Sequence, residues 1–200
     1  MTEGVVVLSN ECLLFRRFFG GSDETANILK ALTHDISWQQ HKVKVFNREH
    51  LTPRLTAWYG DQGMRYSYSG CTHEPLPWIP LLSDIRTRLE QFLNQSFNSV
   101  LLNLYRNGDD TMGGHSDDEK ELGAEPVIAS ASFGETRRMV FHPRDGNSGK
   151  SLAIDLEDSS LLIMQGACQR RWKHSIPRTR QLAGPRINLT FRKILNPVCE

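Results

Sequence analysis

The chain has 200 residues, and its 24 lysines and arginines balance 23 aspartates and glutamates. A hydrophobic fraction of 38% and a charged fraction of 24% are ordinary for a water-soluble globular domain with a sizeable core. No apolar run approaches the ~20 residues of a membrane-spanning helix, and no charged segment followed by an apolar run is seen near the start, so neither a membrane protein nor a secretory signal is expected.

The first half of the chain mixes helices and strands. An apolar run at residues 5–8 predicts a strand, and a helix is expected from an N-cap at Ser22 to residue 32, with acidic residues in its first turn. Residues 43–47 predict a hairpin, ahead of an aromatic segment at 66–70. A second helix is expected over about 78–97, because apolar residues recur there at helical spacing.

From residue 100 onward the pattern changes to short strands separated by turns. Seven strands are predicted, at residues 100–105, 127–133, 138–142, 151–156, 160–164, 172–176 and 186–192. This number and spacing favour a jelly roll over a βαβ sheet. We therefore predict one α+β domain, with a double-stranded β-helix (jelly-roll) core over about 100–195 and helices and recognition elements over about 1–99.

Two of these strands each carry polar residues on one face. Side chains alternate across a strand, so residues two apart share a face. On the last strand, the apolar face consists of Ile187, Leu189 and Phe191. Its polar face consists of Arg186, Asn188, Thr190 and Arg192. Strand 100–105 likewise places Asn103 and Tyr105 on one face. A polar row is either outer solvated surface or the lining of a wet cavity, and the two strands together fit a polar-lined barrel interior.

His115 and Asp117 lie two residues apart, so in an extended segment they point the same way. Two imidazoles and one carboxylate on one side of a scaffold suit ferrous iron, with positions left open for oxygen and a cosubstrate. His174, in the predicted strand 172–176, is the best-placed third ligand. A lone H-x-D pair is more often coincidence, but His174 and the polar face of 186–192 together favour an iron site.

Arg186 on the polar face needs a compensating anion, because an unpaired buried charge is costly. Either an internal carboxylate or the carboxylate of a ligand would satisfy it, in a bidentate contact. Its position shortly after His174 favours a small ligand that also reaches the metal. Tyr105 and Asn103 would assist in binding that ligand.

The charges are unevenly distributed along the chain. From residue 165 to 199 there are eight basic residues and no acidic one, whereas residues 109–125 contain seven acidic residues and a single lysine. A basic face beside an acidic pocket fits a polyanion lying across a metal site. Solvated surface on opposite sides of the domain is the alternative, and composition does not decide between them.

The four cysteines are scattered, without a C-x-x-C pair or a disulfide framework. They are Cys12, Cys71, Cys168 and Cys199. A reducing compartment is the natural interpretation, and it suits iron that must stay ferrous. We expect a cytoplasmic protein, or a nuclear one if the source is a eukaryote.

With these residues in place, the chain resembles the AlkB family of Fe(II)- and 2-oxoglutarate-dependent dioxygenases. The likeness rests on LNLYRNG at 102–108 leading to HSDDE at 115–119, and on PRINLTFR at 185–192. It extends from about residue 43 to 195 and includes YGD at 59–61 and PWIP at 77–80. It is closest to the nucleic-acid-demethylating animal members, including the one that prefers double-stranded DNA.

The resemblance implies a role for each matched position. Iron would be bound by His115, Asp117 and His174. The cosubstrate 2-oxoglutarate would be bound by Asn103, Tyr105, Arg186, Asn188, Thr190 and Arg192. The substrate base would contact Tyr66, Tyr68, Ser69, Arg54, Asp118 and Glu119, with the two tyrosines stacking on it. The hairpin that the duplex-preferring relative inserts into the base stack would correspond to Val45, Phe46 and Asn47.

The implied function is oxidative demethylation of 1-methyladenine and 3-methylcytosine in DNA, with O2 consumed and formaldehyde, succinate and CO2 released. Such a base must be flipped out of the duplex, and its positive charge would favour acidic and aromatic contacts. Phosphates could be held by Arg170, Arg171, Lys173, Arg178 and Arg180. The expected partner is single- or double-stranded DNA, with RNA a further candidate, and a monomer is expected. The alternatives are an RNA demethylase or protein hydroxylase of the same chemistry, and a catalytically silent nucleic-acid-binding module.

Overall fold

The structure, a computed structural model, describes residues 5–8, 11–45, 48–64, 66–68, 71–144, 149–181 and 184–195. In the first half of the chain, the elements are β1 (Val5–Leu8), β2 (Cys12–Phe15), α1 (Ser22–Asp35), β3 (Lys42–Val45), β4 (Arg48–Leu51), β5 (Leu55–Gly60), β6 (Tyr66–Tyr68), β7 (Cys71–His73) and α2 (Pro80–Leu93). In the second half, they are β8 (Ser99–Tyr105), β9 (Met112–His115), β10 (Ile128–Gly134), β11 (Arg137–Pro143), β12 (Leu152–Leu156), β13 (Ser160–Met164), α3 (Cys168–Arg171), β14 (Trp172–Ile176) and β15 (Arg186–Arg192). A 3-10 turn at Lys120–Leu122 follows β9.

Two antiparallel sheets form the body of the fold. The larger sheet has seven strands in the order β1-β2-β13-β10-β15-β8-β5, and the smaller has four in the order β12-β11-β14-β9. Apolar residues of both sheets pack together between them, including Ile128, Leu162, Met139 and Phe141. The jelly-roll prediction is confirmed, because strands of this order and direction make a double-sheet sandwich.

The other face of the larger sheet is covered by the two long helices. Leu32 of α1 and Leu82 and Leu89 of α2 are fully buried in one cluster with the apolar faces of β8, β10 and β15. Within β15, Ile187, Leu189 and Phe191 belong to this cluster, which confirms the predicted alternation. The polar face of β15 therefore points between the sheets, where the functional site lies.

Several strand bounds were predicted closely, and the helix bounds less so. Strands 160–164, 172–176 and 186–192 have the predicted limits. Ser22 was expected to be an N-cap but is the first helical residue, and the cap is Gly21, which has no side chain to accept a hydrogen bond from the N–H groups of the first turn. The second helix is shorter than predicted: it begins at Pro80, since proline suits a first turn, and ends before Asn94, whose φ of 50° is left-handed.

Strands from the first half of the chain also join the larger sheet. They are β1, β2 and β5, and β5 pairs with β8 along its whole length. The strand pair β3–β4 confirms the backbone of the predicted hairpin, whereas Phe46 and Asn47 at its tip lie outside the described residues. Cys12 and Cys168 are buried and free. None of the helices in the described ranges is long and apolar enough to cross a membrane.

Candidate metal and cosubstrate site

The three predicted metal ligands come together at one end of the smaller sheet. His115 at the end of β9 pairs directly with His174 of β14, and their ring centroids lie 4.3 Å apart. Asp117 follows two residues later, and one ligand atom from each of the three residues lies within 4.8 Å of the others. Asp117 and His174 are buried, while the His115 side chain is 34% exposed. The geometry suits a single metal ion reached from one open side.

The electrostatics keep these groups ready to bind a cation. Burial alone would raise the pKa of Asp117, but the Arg192 guanidinium at 2.8 Å, with His174 and His115, holds it below its ordinary value. Burial, and then the neighbouring His115, lower the pKa of His174 to about 4. At neutral pH the site thus offers a carboxylate and a neutral imidazole, the forms in which these groups bind a metal.

Arg186 lies fully buried beside this triad on the larger sheet. Its Nη2 atom donates to Ser132 Oγ at 2.9 Å. Its Nε and Nη1 atoms are buried and meet no acceptor in hydrogen-bonding geometry among the described residues, although Tyr105 lies close by. Burial lowers the pKa of Arg186 to about 10, which leaves the guanidinium protonated at neutral pH. A buried cation with two unused donors fits the carboxylate of a ligand.

Four of the other predicted cosubstrate residues are buried on the same sheet, namely Asn103, Tyr105, Asn188 and Thr190, whereas Arg192 at the far end of β15 is half-buried. Asn103 Oδ1 accepts a hydrogen bond from Arg54 Nε at 2.9 Å. The pKa of the Tyr105 hydroxyl is raised by burial, although nearby arginines oppose that effect, so the phenol stays a donor. Asn188 Nδ2 donates to Ser130 Oγ at 2.8 Å and to the Ala131 carbonyl at 3.0 Å, while Asn188 Oδ1 accepts from Thr190 Oγ1. These contacts hold the polar face of the sheet in a fixed arrangement.

The residues present fit both implied groups. Two imidazoles and one carboxylate form the donor set of a facial iron site, and the unused donors of Arg186 fit a carboxylate of 2-oxoglutarate. Both sets line one cavity of about 650 Å³ between the sheets. That volume accommodates a small cosubstrate together with part of a substrate.

The two acidic residues that follow Asp117 lie in different places: Glu119 lines the cavity and Asp118 does not. Glu119 lines the cavity, as does Glu74, which the sequence did not single out. Asp118 was expected to contact the base, but it is exposed outside the cavity and accepts a hydrogen bond from Arg144 at 2.5 Å. Arg54, also expected at the substrate, lies in the cavity bonded to Asn103 and the Thr111 carbonyl.

Six of the predicted substrate contacts have side chains outside the described part of the structure. Phe46, Asn47 and Ser69 lie outside the described residues. For Val45, Tyr66 and Tyr68 only the backbone is described, in β3 and β6.

The basic residues proposed for phosphate contact are exposed, and three of them are ion-paired. Arg170 pairs with Glu125 at 2.6 Å, Arg171 with Glu11 at 3.0 Å and Arg178 with Asp109 at 2.6 Å. Lys173 and Arg180 form no ion pair with a described residue. Exposed ion pairs are weak, so these arginines can exchange a carboxylate for a phosphate.

Some buried polar residues of the site were missed by the sequence. Arg137 is fully buried and donates to the carbonyls of Asn107, Asp110 and Pro177 at 3.0, 2.8 and 2.8 Å. Asp110 in turn accepts three hydrogen bonds from Arg106. Ser130 and Ser132 also escaped notice, as did Gln169. Alternation along β10 could have revealed the two serines, because they lie on one face of that strand. On this face Ser130 pairs with Thr190 and Ser132 with Asn188, both from the polar row of β15.

An iron-type facial triad and a buried arginine inside one jelly-roll cavity define the class of 2-oxoglutarate-dependent oxygenases. The family model described as the 2OG-Fe(II) oxygenase superfamily matches residues 11–192. The DNA oxidative demethylase ALKBH2 of Mus musculus is 39% identical over 184 residues, covering 88% of this chain and 77% of that protein. ALKBH2 of Homo sapiens is 40% identical over 185 residues, covering 88% and 70%.

A second group of relatives matches equally well. The alpha-ketoglutarate-dependent dioxygenase alkB homolog 3 of Homo sapiens is 43% identical over 178 residues, which cover 84% of this chain and 60% of that protein. The chain belongs to the AlkB family of 2OG-Fe(II) oxygenases. Two solved structures share the fold at low identity. OsALKBH1 has a TM-score of 0.67 at 18% identity, covering 96% of this chain and all of that one. A prolyl hydroxylase complex from Trichoplax adhaerens has a TM-score of 0.61 at 13% identity, covering 92% and 84%.

Proposed function

We propose that the protein oxidatively demethylates N-alkylated bases in DNA, with 1-methyladenine and 3-methylcytosine as its substrates, and so repairs DNA by direct reversal. The observation that carries the proposal is the shared cavity, which joins the metal triad and Arg186 to a wall containing Glu119 and Glu74. The relatives at 39–43% identity, which are named DNA oxidative demethylases and alkB homolog 3 dioxygenases, support the choice of substrate.

Each residue would contribute through binding or orientation. His115, Asp117 and His174 would hold iron, and Arg186, Asn103 and Tyr105 would hold 2-oxoglutarate through charge and hydrogen bonds. When bound, iron and 2-oxoglutarate supply oxygen activation, in which one oxygen atom of O2 is added to the N-methyl carbon and the other enters succinate as CO2 leaves. The C–N bond of the resulting hydroxymethyl group would then break, with its electron pair staying on the ring nitrogen and the hydroxyl proton passing to solvent as formaldehyde leaves.

Charge in the cavity favours a methylated base over an ordinary one. A 1-methyladenine or 3-methylcytosine ring is cationic, and the Glu119 carboxyl lines the space next to Asp117. Two buried cations also line the cavity, Arg186 on β15 and Arg54 just before β5, and they would attract the anionic cosubstrate instead. The distribution of charge in the cavity would thus direct the cationic base towards Glu119 and the anionic cosubstrate towards the arginines.

The remaining substrate contacts are proposed from sequence position. Tyr66 and Tyr68 would stack on the flipped base, and Ser69 would lie beside them. The Val45–Asn47 tip would enter the base stack, with Phe46 as the apolar wedge. The exposed arginines of α3 and the loop after β14, with Lys173, would contact phosphates. We also propose that the protein acts as a single domain and as a monomer.

The test measures formaldehyde released by purified protein with Fe(II), 2-oxoglutarate and oxygen. Oligonucleotides containing 3-methylcytosine would be supplied in parallel as single-stranded DNA, duplex DNA and RNA. We expect release from DNA and none from His174→Ala, whose circular dichroism spectrum should match that of the wild type. Release from RNA alone would transfer the function to the RNA alternative, and release from none of the three would refute the proposal.

A further inference from the structure

The metal ligand Asp117 lies outside the β-sheets. His115 and His174 belong to paired strands, and their register holds both imidazoles in place. Asp117 comes after the end of β9, so strand pairing does not fix its backbone. Arg192 contacts its carboxylate at 2.8 Å. A contact at the tip of the side chain leaves the position of the backbone to be set by another group.

Gln169 provides that second contact. Its Oε1 atom accepts a hydrogen bond from the Asp117 backbone N–H at 2.9 Å, and both residues are buried. At its other end, Nε2 lies 3.5 Å from the thioether sulfur of Met164, a weak acceptor. These two contacts fix the direction of the amide, because only its oxygen can accept from Asp117. A neutral amide also avoids placing a second negative charge beside the buried Asp117 carboxylate.

Two neighbouring contacts anchor the same segment. Ser116 Oγ donates to the Trp172 carbonyl at 2.9 Å. Arg144 Nη1 donates to Asp118 Oδ2 at 2.5 Å and to the Gln169 carbonyl at 2.8 Å. Residues 116–118 are therefore each tied, directly or through Arg144, to residues 169–172. That segment leads straight into β14 and His174, so it couples the position of the second metal ligand to that of the third.

We propose that Gln169 is a positioning residue of the metal site, which acts through the Asp117 backbone to set the place of that carboxylate relative to His174. Its contribution is to metal affinity. The inference does not depend on which substrate the protein accepts, because metal binding can be measured with no substrate present. Failure of the DNA assay would therefore leave it untouched.

The test variants are Gln169→Leu and Gln169→Met, which keep a similar side-chain volume among apolar neighbours and remove the acceptor. Mn(II) is titrated into metal-free protein, and free Mn(II) is measured by electron paramagnetic resonance. We expect the Kd for Mn(II) to rise about 10- to 100-fold, the usual effect of losing a group that orients a metal ligand. The KM for iron should rise by a similar factor, while kcat at saturating iron changes little.

The matched control is Cys168→Ala on the same short helix. Cys168 is as buried as Gln169 but has no contact with residues 116–118 among its described hydrogen bonds. The Cys168→Ala substitution should lower the Tm of the metal-free protein, while its Kd for Mn(II) should stay within twofold of the wild-type value. The proposal is overturned if both Gln169 variants bind Mn(II) within twofold of the wild type, or if Cys168→Ala weakens binding as much as they do.

Discussion

Arg186 and Arg137 are both fully buried, yet replacing them should change stability in opposite ways. Arg137 donates to three backbone carbonyls, so Arg137→Met leaves three acceptors without their donor, and the contact with the Asp110 carbonyl is fully buried. Arg186 has one hydrogen bond to Ser132 and two unused donors. Arg186→Met therefore removes a buried charge that has no carboxylate partner among the described residues.

The magnitudes follow from these partners. A buried acceptor left without its donor costs about 1–3 kcal/mol, and a loss of at least this size is our expectation for Arg137→Met, because its contact with the Asp110 carbonyl is buried. Each buried donor left unpaired costs about 1–3 kcal/mol, so Arg186→Met should leave the ligand-free protein equally stable or stabilise it by about 1–2 kcal/mol. Its 2-oxoglutarate affinity should fall more than about hundredfold, because the partner carboxylate loses about 3 kcal/mol or more.

Urea unfolding followed by tryptophan fluorescence measures both effects, since the chain has four tryptophans. Each protein is unfolded alone and again with Mn(II) and 2-oxoglutarate. The wild type should gain stability from the ligands, and Arg186→Met should gain far less. If Arg186→Met loses as much stability as Arg137→Met without ligands, the guanidinium is held by the protein, and its role as a carboxylate receptor is refuted.

Two further changes probe the charges around the metal. Arg192→Met should raise the pKa of Asp117, because burial then acts with less opposition. Protons compete with the metal for a carboxylate, so the Mn(II) affinity of this variant should fall more steeply than that of the wild type as the pH drops from 8 to 5.5. In the wild type the lowered pKa of Asp117 lies below that pH range. Parallel pH profiles for the two proteins would contradict the role of Arg192 in lowering this pKa. Glu119→Gln should lower kcat/KM for cationic 3-methylcytosine about thirtyfold and leave that for a neutral etheno adduct unchanged, since two charges roughly 8 Å apart interact by about 2 kcal/mol at an effective dielectric constant of 20. Equal losses on both substrates would remove the electrostatic role of Glu119.

The sequence predicted the parts of the site that depend on local periodicity. The polar face of β15 and the positions of Asn103 and Tyr105 follow from alternation along a strand, which the chain carries in its own pattern. His174 was predicted because it lies in a strand with clear bounds. Beyond the end of a regular strand, alternation no longer predicts the direction in which a side chain points. Asp118 and Glu119 adjoin in sequence, but only Glu119 lines the cavity.

The missed residues share a physical reason. Arg137 and Gln169 form hydrogen bonds with backbone atoms 27 or more positions away in the chain. Every residue has the same backbone groups, so the sequence does not show which of them will be the partner. The identity of the partner depends on how the loops fold over the sheet ends. Such contacts become visible only when the three-dimensional positions of both segments are known.

The arrangement of the site on two different sheets has a consequence for how its ligands bind. The metal ligands belong to β9, β14 and the loop between β9 and β10, whereas Asn103, Tyr105 and Arg186 belong to β8 and β15. Arg186, which would hold the cosubstrate, and the histidines, which would hold the metal, line the same cavity. By thermodynamic reciprocity, any gain in 2-oxoglutarate affinity caused by the metal equals the gain in metal affinity caused by 2-oxoglutarate. Wherever the metal strengthens the binding of 2-oxoglutarate, scarcity of iron would weaken it by the same factor.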